Sequence, residues 1–174
     1  MVPDVIAAVK TYIKLIINHG GTKVVVVGAF QIGCGVKFDF HGGTKFHCNN
    51  SSFNSLATLH NQLLKEELRR LRDEFPGTRI VYGDMWDAFQ WIMDHFWSIG
   101  YRHPYYIPCC GNAHVHCGDS GAPYCNFPAE YMYWDSEHLT DHTHRLLSNL
   151  MIPRFAADLG CGGGVSKDDD TSEH

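Results

Sequence analysis

Lys23-Val24-Val25-Val26-Val27-Gly28 is the segment that decides the fold class of this 174-residue chain. Four consecutive valines cannot alternate between a buried and an exposed face, so the segment predicts a strand covered on both faces, as in a parallel sheet. Residues 4–18 precede it and carry apolar side chains at helical spacing. Gly20-Gly21 then ends the predicted helix. The apolar positions expected on its buried face are Val5, Ile6, Val9, Tyr12, Ile13, Ile16 and Ile17.

The same alternation of helix and strand continues after the first strand. An apolar stripe from Phe53 to Phe75 predicts a long helix, and residues 78–83 predict a second short buried strand. Residues 84–97 predict a third helix, and Thr140 is expected to cap a last one. This order indicates the α/β class with a parallel sheet. Two strands are too few for an independent sheet of this kind, so we expect an incomplete domain whose first strands are absent. The side chains of the third helix expected to face the core are Trp86, Phe89, Ile92, Met93 and Phe96, and Trp91 and Trp97 also fit a helix core.

Composition and charge narrow the class of partner. Hydrophobic residues make up 44% of the chain and the net charge is −5, which is typical of a globular protein and gives no reason to expect a nucleic acid. No apolar run approaches the roughly 20 residues of a membrane span. The segment that follows Met1 is not typical of a signal peptide. Residues 159–174 are rich in glycine and acidic side chains, so we expect a disordered tail after a domain of residues 1–158.

Seven cysteines are many for a cytosolic chain of this length and favour an oxidising compartment. Cys34 and Cys48 flank the loop after the first predicted strand, and we expect them to pair. The long irregular stretch of residues 98–132 holds four more cysteines, which should form two bridges whose connectivity the sequence leaves open. Cys161 is then expected to be a free thiol. The four cysteines of the stretch are Cys109, Cys110, Cys117 and Cys125.

Asp135 lies three residues before His138, at the mouth of the last predicted helix. This spacing can place both side chains on one side of a short turn, where the carboxylate fixes the imidazole tautomer and supports its positive charge. The imidazole is then available as a general base for a hydroxyl nucleophile. An aspartate that caps a helix beside a surface histidine gives the same pattern, so the spacing alone leaves both interpretations open.

The residues around this pair extend the pattern. Trp134-Asp135-Ser-Glu-His138-Leu-Thr140 resembles the last sequence block of the GDSL esterases/lipases, the large plant branch of the SGNH hydrolases. Gly28 to Cys34 is similar to a glycine–cysteine turn of that family, although Gln31 stands where the family has proline. The segments 68–72 and 76–84 and the order of the later cysteines are also similar to the family's.

The resemblance implies a three-layer α/β/α domain of the SGNH (flavodoxin-like) type, with the strand that carries the nucleophile missing from this chain. It implies hydrolysis of carboxylic esters through an acyl-serine intermediate, with His138 as the base and Asp135 as its orienting acid. It further implies a small-molecule or lipid ester as substrate, no metal or organic cofactor, and secretion. The family's nucleophilic serine belongs to a Gly-Asp-Ser block near the N-terminus, and that block is absent here.

Several other interpretations compete with the esterase. Gly118-Asp119-Ser120 spells the same tripeptide, but it lies in a proline-rich loop where an Asx turn is expected. A truncated, catalytically inactive chain that acts as an interaction protein is the main alternative, and an unpaired edge of the valine strand would then favour self-association. A Cys/His metal site is the third. Its candidate ligands are His114, His116 and Cys117 near Cys109 and Cys110, whereas His142 and His144 are expected on an exposed face of the last helix.

Overall fold

Residues 1–37, 51–112 and 115–161 are described by a computed structural model of the chain. The predicted alternation of helices and strands is confirmed in this part. Short 3₁₀ turns occur at Ile32–Cys34 and Pro128–Glu130. The main elements are α1 (Val2–Asn18), β1 (Lys23–Val27), α2 (Ser51–Glu74), β2 (Arg79–Gly83), α3 (Met85–Asp94) and α4 (Asp141–Asp158).

The sheet of the described residues consists of β1 and β2, which pair in parallel from Lys23↔Arg79 to Val27↔Gly83. The expectation that the valine strand is covered on both faces is wrong. Only Val24 is buried, and Val27 is 45% exposed. The reason is that α2 and α4 pack against β2, whereas the outer edge of β1 has no strand beside it among the described residues.

Helices α1 and α2 form one layer and share a core with the sheet. Its buried members are Val2, Ile6, Ile13, Leu64, Leu68, Leu71 and Ile80. The predicted buried face of α1 was too wide, because Val5, Tyr12 and Ile16 are 46%, 67% and 49% exposed. Since α1 packs mainly against α2, it buries only a narrow stripe of its surface.

Helices α3 and α4 form the layer on the opposite face and enclose a second core. Phe155 of α4 reaches the sheet at Gly83, where an added Cβ would lie 2.9 Å from the phenylalanine ring. Helix α3 ends at Asp94, earlier than predicted. Trp91 of α3 and Trp97, which follows the helix, are not core residues: they are 40% and 48% exposed. The buried members contributed by α3, α4 and the residues between them include Phe89, Ile92, Met93, Phe96, Tyr101, Tyr133, Leu147 and Met151.

Disulfides hold the irregular stretch between α3 and α4. The two predicted bridges are confirmed and join Cys109 to Cys125 and Cys110 to Cys117. Cys161 is a free thiol, as expected. Cys34 is disulfide-bonded, but its expected partner Cys48 lies outside the described residues, as does most of the expected tail. Within the described ranges, no helix is long and apolar enough to cross a membrane.

Candidate active site

Asp135 and His138 form the tip of a tight hairpin between the disulfide-bonded stretch and α4. An antiparallel bridge joins Tyr133 to Leu139, and the Trp134 amide donates to the His138 carbonyl at 2.8 Å. Tyr133 and Leu139 are buried, so they anchor the base of the hairpin in the core. The tip consequently projects from the surface, and the His138 side chain is 73% exposed.

The Asp135 carboxylate organises this tip by accepting three hydrogen bonds. Its Oδ1 accepts from the backbone amides of Glu137 at 2.8 Å and His138 at 2.7 Å. The His138 ring contacts the carboxylate through Nδ1, which lies 2.9 Å from Oδ2. Because a neutral imidazole can bond an ionised carboxylate only as a donor, Nδ1 carries the proton and Nε2 is free to accept one. This is the tautomer that a general base requires.

The two side chains shift each other's protonation equilibrium. Partial burial by itself raises the pKa of Asp135, but the hydrogen bonds from the Glu137 and His138 amides and from the imidazole outweigh burial and lower it. The hydrogen bond that the ring donates to Asp135, together with the negative charge of that carboxylate, raises the pKa of His138. Asp135 is therefore ionised at neutral pH, and it supports a positive charge on the imidazole.

The hairpin tip contacts the segment that follows the carboxyl end of β1. The chain that leaves β1 returns to the tip at Lys37, whose amide donates to the Ser136 carbonyl at 3.1 Å. The Lys37 ammonium also forms an ion pair with Glu137. Ligand sites of open α/β sheets lie outside the carboxyl ends of the strands, so the location suits a binding or catalytic group. Sequence reasoning did not predict this ion pair, because Lys37 and Glu137 are 100 positions apart.

Two buried threonines connect the hairpin to α4. Thr140 is the N-cap of the helix, as predicted, and its hydroxyl accepts from the Thr143 amide. The Thr143 side chain is fully buried, and its hydroxyl lies 2.7 Å from both the Met132 carbonyl and the Tyr101 hydroxyl. Burial raises the pKa of Tyr101 to about 12, so this hydroxyl stays protonated and can donate. The network holds the start of α4 against the base of the hairpin.

The Gly118-Asp119-Ser120 segment is a surface turn. Gly118 and Gly121 have positive φ angles, and the Asp119 carboxylate accepts from the His116 amide at 3.1 Å. Within residues 115–127, no strand leads into Ser120 and no helix begins after it, so the segment lacks the geometry expected of a nucleophile.

The structure also weighs against the metal interpretation. The four cysteines near His116 are all consumed in disulfides, which removes the thiolates that zinc would need. Across residues 1–37, 51–112 and 115–161, no group of three His, Cys, Asp or Glu side chains could hold an ion. His114 lies outside those ranges. His144 is exposed as expected, whereas His142 is half-buried against the Tyr101 ring.

Comparison with known proteins identifies the family of the chain. A family model described as GDSL-like lipase/acylhydrolase matches residues 1–151. Acetylajmalan esterases 1 and 2 of Rauvolfia serpentina are 31% and 32% identical to the chain and cover 91% and 92% of it. A GDSL esterase/lipase of Arabidopsis thaliana is 30% identical over 92% of the chain. The chain spans about half the length of these relatives, namely 45%, 47% and 53%.

Proposed function

The chain belongs to the GDSL-like lipase/acylhydrolase family, and on that premise we propose that it supplies the acid–base half of an ester-hydrolysing Ser-His-Asp site. His138 is the general base and Asp135 is the residue that orients it. The observation that carries the proposal is the 2.9 Å contact between His138 Nδ1 and the Asp135 carboxylate, which leaves Nε2 free.

The chemistry follows from this tautomer. Nε2 of His138 takes the proton of a serine hydroxyl while the serine oxygen attacks the ester carbonyl. The imidazolium then returns that proton to the departing alcohol, and an acyl-serine remains. A water molecule, deprotonated by the same nitrogen, attacks the acyl carbon and releases the carboxylic acid and the serine. Asp135 stays ionised throughout and stabilises the positive charge of the ring.

The nucleophile, we further propose, does not come from these 174 residues. Throughout the part of the chain that the structure describes, no serine hydroxyl is hydrogen-bonded to the His138 ring, which is 73% exposed. Residues 1–158 are on this view the C-terminal part of a larger catalytic domain, with residues 159–174 as a tail. The half of the relatives' length that the chain does not cover has room for the serine and its oxyanion donors.

Esters of small molecules or lipids are the proposed substrates. The names of the Rauvolfia relatives make an acetyl ester the first compound to test. Secretion is proposed as well, because the Cys109–Cys125 and Cys110–Cys117 bridges need an oxidising compartment to persist.

Two proteins test the proposal. The chain by itself should hydrolyse p-nitrophenyl acetate and butyrate no faster than its His138→Ala variant, and it should not react with a fluorophosphonate probe. A chimera that places the unmatched N-terminal part of acetylajmalan esterase 1 before this chain should hydrolyse the same esters. Its activity should fall roughly 10²–10⁴-fold in His138→Ala, the usual contribution of a general base, and should persist in the matched control His144→Ala.

The outcomes are distinct. A folded chimera that is inactive, or that works equally well without His138, contradicts the proposed roles. If the chain alone is active and loses turnover in both Ser120→Ala and His138→Ala, the loop serine is the nucleophile. Loss in His138→Ala alone would indicate activation of water or of another serine.

A second candidate function is supported by the edge of β1, beside which no strand lies in the described part of the chain. Val27 is exposed at this edge, and an unpaired apolar strand is a template for pairing with another chain. On this alternative the chain is an inactive interaction protein that associates with itself. Light scattering coupled to size exclusion should show dimers or larger species, which Val27→Lys should dissociate. Val5→Lys is the control because Val5 is equally exposed, at 46%, but lies on α1. A wild-type monomer that unfolds cooperatively excludes this candidate.

A further inference from the structure

Tyr124 is the most exposed aromatic side chain between α3 and α4, at 74%, yet its backbone is firmly held. It forms an antiparallel bridge with Cys110. The next residue, Cys125, is bonded to Cys109 through its disulfide and through a backbone hydrogen bond of 2.8 Å. A side chain on a long surface loop is ordinarily mobile, whereas these bonds fix the backbone from which the Tyr124 ring projects.

Trp134 lies on the neighbouring segment, directly before Asp135. The amide of Cys110 donates to the Trp134 carbonyl at 2.6 Å, so Tyr124, Cys110 and Trp134 belong to three adjacent backbone segments. The rings of Tyr124 and Trp134 meet edge to face, with centroids 6.1 Å apart and planes at 81°. The pair is therefore ordered by covalent and hydrogen bonds on both sides, although much of its surface is in contact with water.

Trp134 is also the backbone neighbour of His138 across the hairpin. Tyr133 and Leu139 face one another across the hairpin and are both buried. Trp134 and His138 are the next pair toward the tip, joined by the 2.8 Å backbone bond. Trp134 is half-buried and His138 is exposed, so neither side chain belongs to the core, and their backbones are direct neighbours across the hairpin.

We propose that Tyr124 and Trp134 form an aromatic subsite that binds the ring of an aryl ester beside His138. The proposal rests on the proposed function for what happens to the bound ester, but binding itself does not need a nucleophile. Single exposed aromatic side chains are common on protein surfaces. An edge-to-face pair that is already immobilised is a better binding surface than a single mobile ring. When a ligand ring packs on the pair, its side chains lose little further entropy.

Binding of phenyl acetate to the chain, followed by NMR, tests the proposal. The Trp134 indole N–H and the His138 ring signals should shift saturably with phenyl acetate. Cyclohexyl acetate, which has a ring of the same size without π electrons, should need a higher concentration. Tyr124→Ala should weaken phenyl acetate binding by roughly 2- to 10-fold, the range expected for one aromatic pair, and Tyr124→Phe should restore it.

Tyr12→Ala is the matched control, because Tyr12 is 67% exposed on α1 and remote from the hairpin. It should leave the affinity unchanged. Equal affinity in Tyr124→Ala and wild type, shifts confined to other residues, or no saturable shift would each overturn the subsite. His138→Ala should retain phenyl acetate binding while it abolishes turnover in the chimera. A failure of the catalytic proposal and a failure of the subsite are thus separate results.

Discussion

Asp135→Asn should both destabilise the hairpin and reverse the tautomer of His138. The asparagine carbonyl can keep the two backbone bonds, at 2.8 and 2.7 Å in the native turn, but without the negative charge. Bonds to charged acceptors contribute about 1.5–3 kcal/mol and neutral ones about 0.5–1.5 kcal/mol, so each bond should lose about 1 kcal/mol. Since the Asp135 side chain is 20% exposed, we expect a total loss of about 1–2 kcal/mol in the free energy of unfolding. The asparagine amide would face Nδ1 as a donor and force the proton onto Nε2, which abolishes the base.

Urea denaturation and an NMR pH titration of the His138 ring measure the two effects. The pKa of His138 is raised by Asp135 in the native protein and should fall in Asp135→Asn. A raised histidine pKa stabilises the fold below the unfolded pKa, and that contribution is lost as pH rises through the folded pKa. The stability difference between wild type and variant should therefore be larger at pH 5 than at pH 9.

Asp119→Asn is the control, because this exposed carboxylate accepts a single backbone bond, from the His116 amide. Asp119→Asn should lower the free energy of unfolding by less than Asp135→Asn does, and it should leave the His138 titration unchanged. An unaltered His138 pKa in Asp135→Asn, or a stability loss that does not depend on pH, would refute the argument that the carboxylate and the imidazole act as a charged pair.

Three further predictions follow from the described contacts. Replacing Cys109 and its partner cysteine by alanine should lower the free energy of unfolding by about 3 kcal/mol, from the chain entropy of the 16-residue loop that they close, as measured by urea denaturation. Thr143→Val should lower the free energy of unfolding by about 1–3 kcal/mol in the same assay, because it leaves the buried Tyr101 hydroxyl without its hydrogen-bond partner. Lys37→Met should raise the pKa of His138, since it removes the cation that pairs with Glu137, whose negative charge favours the imidazolium; an NMR titration that moves the other way would contradict this.

The features that the sequence predicted well are those fixed by local interactions. Helical spacing, capping threonine and proline–glycine stops depend on residues a few positions apart, so the order of elements and the start of α4 could be predicted. The Asp135–His138 contact is also local, because a three-residue spacing and an Asx-type turn suffice to bring the carboxylate to the ring. The family resemblance rested on motifs of the same short range.

The features that the sequence missed depend on distant parts of the chain. Exposure of Trp91, Trp97 and Val27 could not be read from an apolar pattern, because burial depends on which element covers each face. The ion pair of Lys37 with Glu137 joins residues 100 positions apart. Cysteine spacing likewise fixed the number of bridges but not their connectivity, which the fold of the intervening loop decides.

The exposed base and the open strand edge have a common physical origin. The hairpin tip lies beyond the carboxyl end of β1, which continues through Gly28 toward Lys37 and the tip. Gly28 has no room for a side chain, because a Cβ there would lie 2.2 Å from the Tyr82 hydroxyl. This end of the sheet is thus closely packed on the side of β2, and none of the described residues forms a strand on the other side of β1. A parallel strand added to the open edge would end at the same edge of the sheet as β1 and deliver its next residue toward His138. If the proposed function holds, one added segment would both cover Val27 and bring a nucleophile to His138.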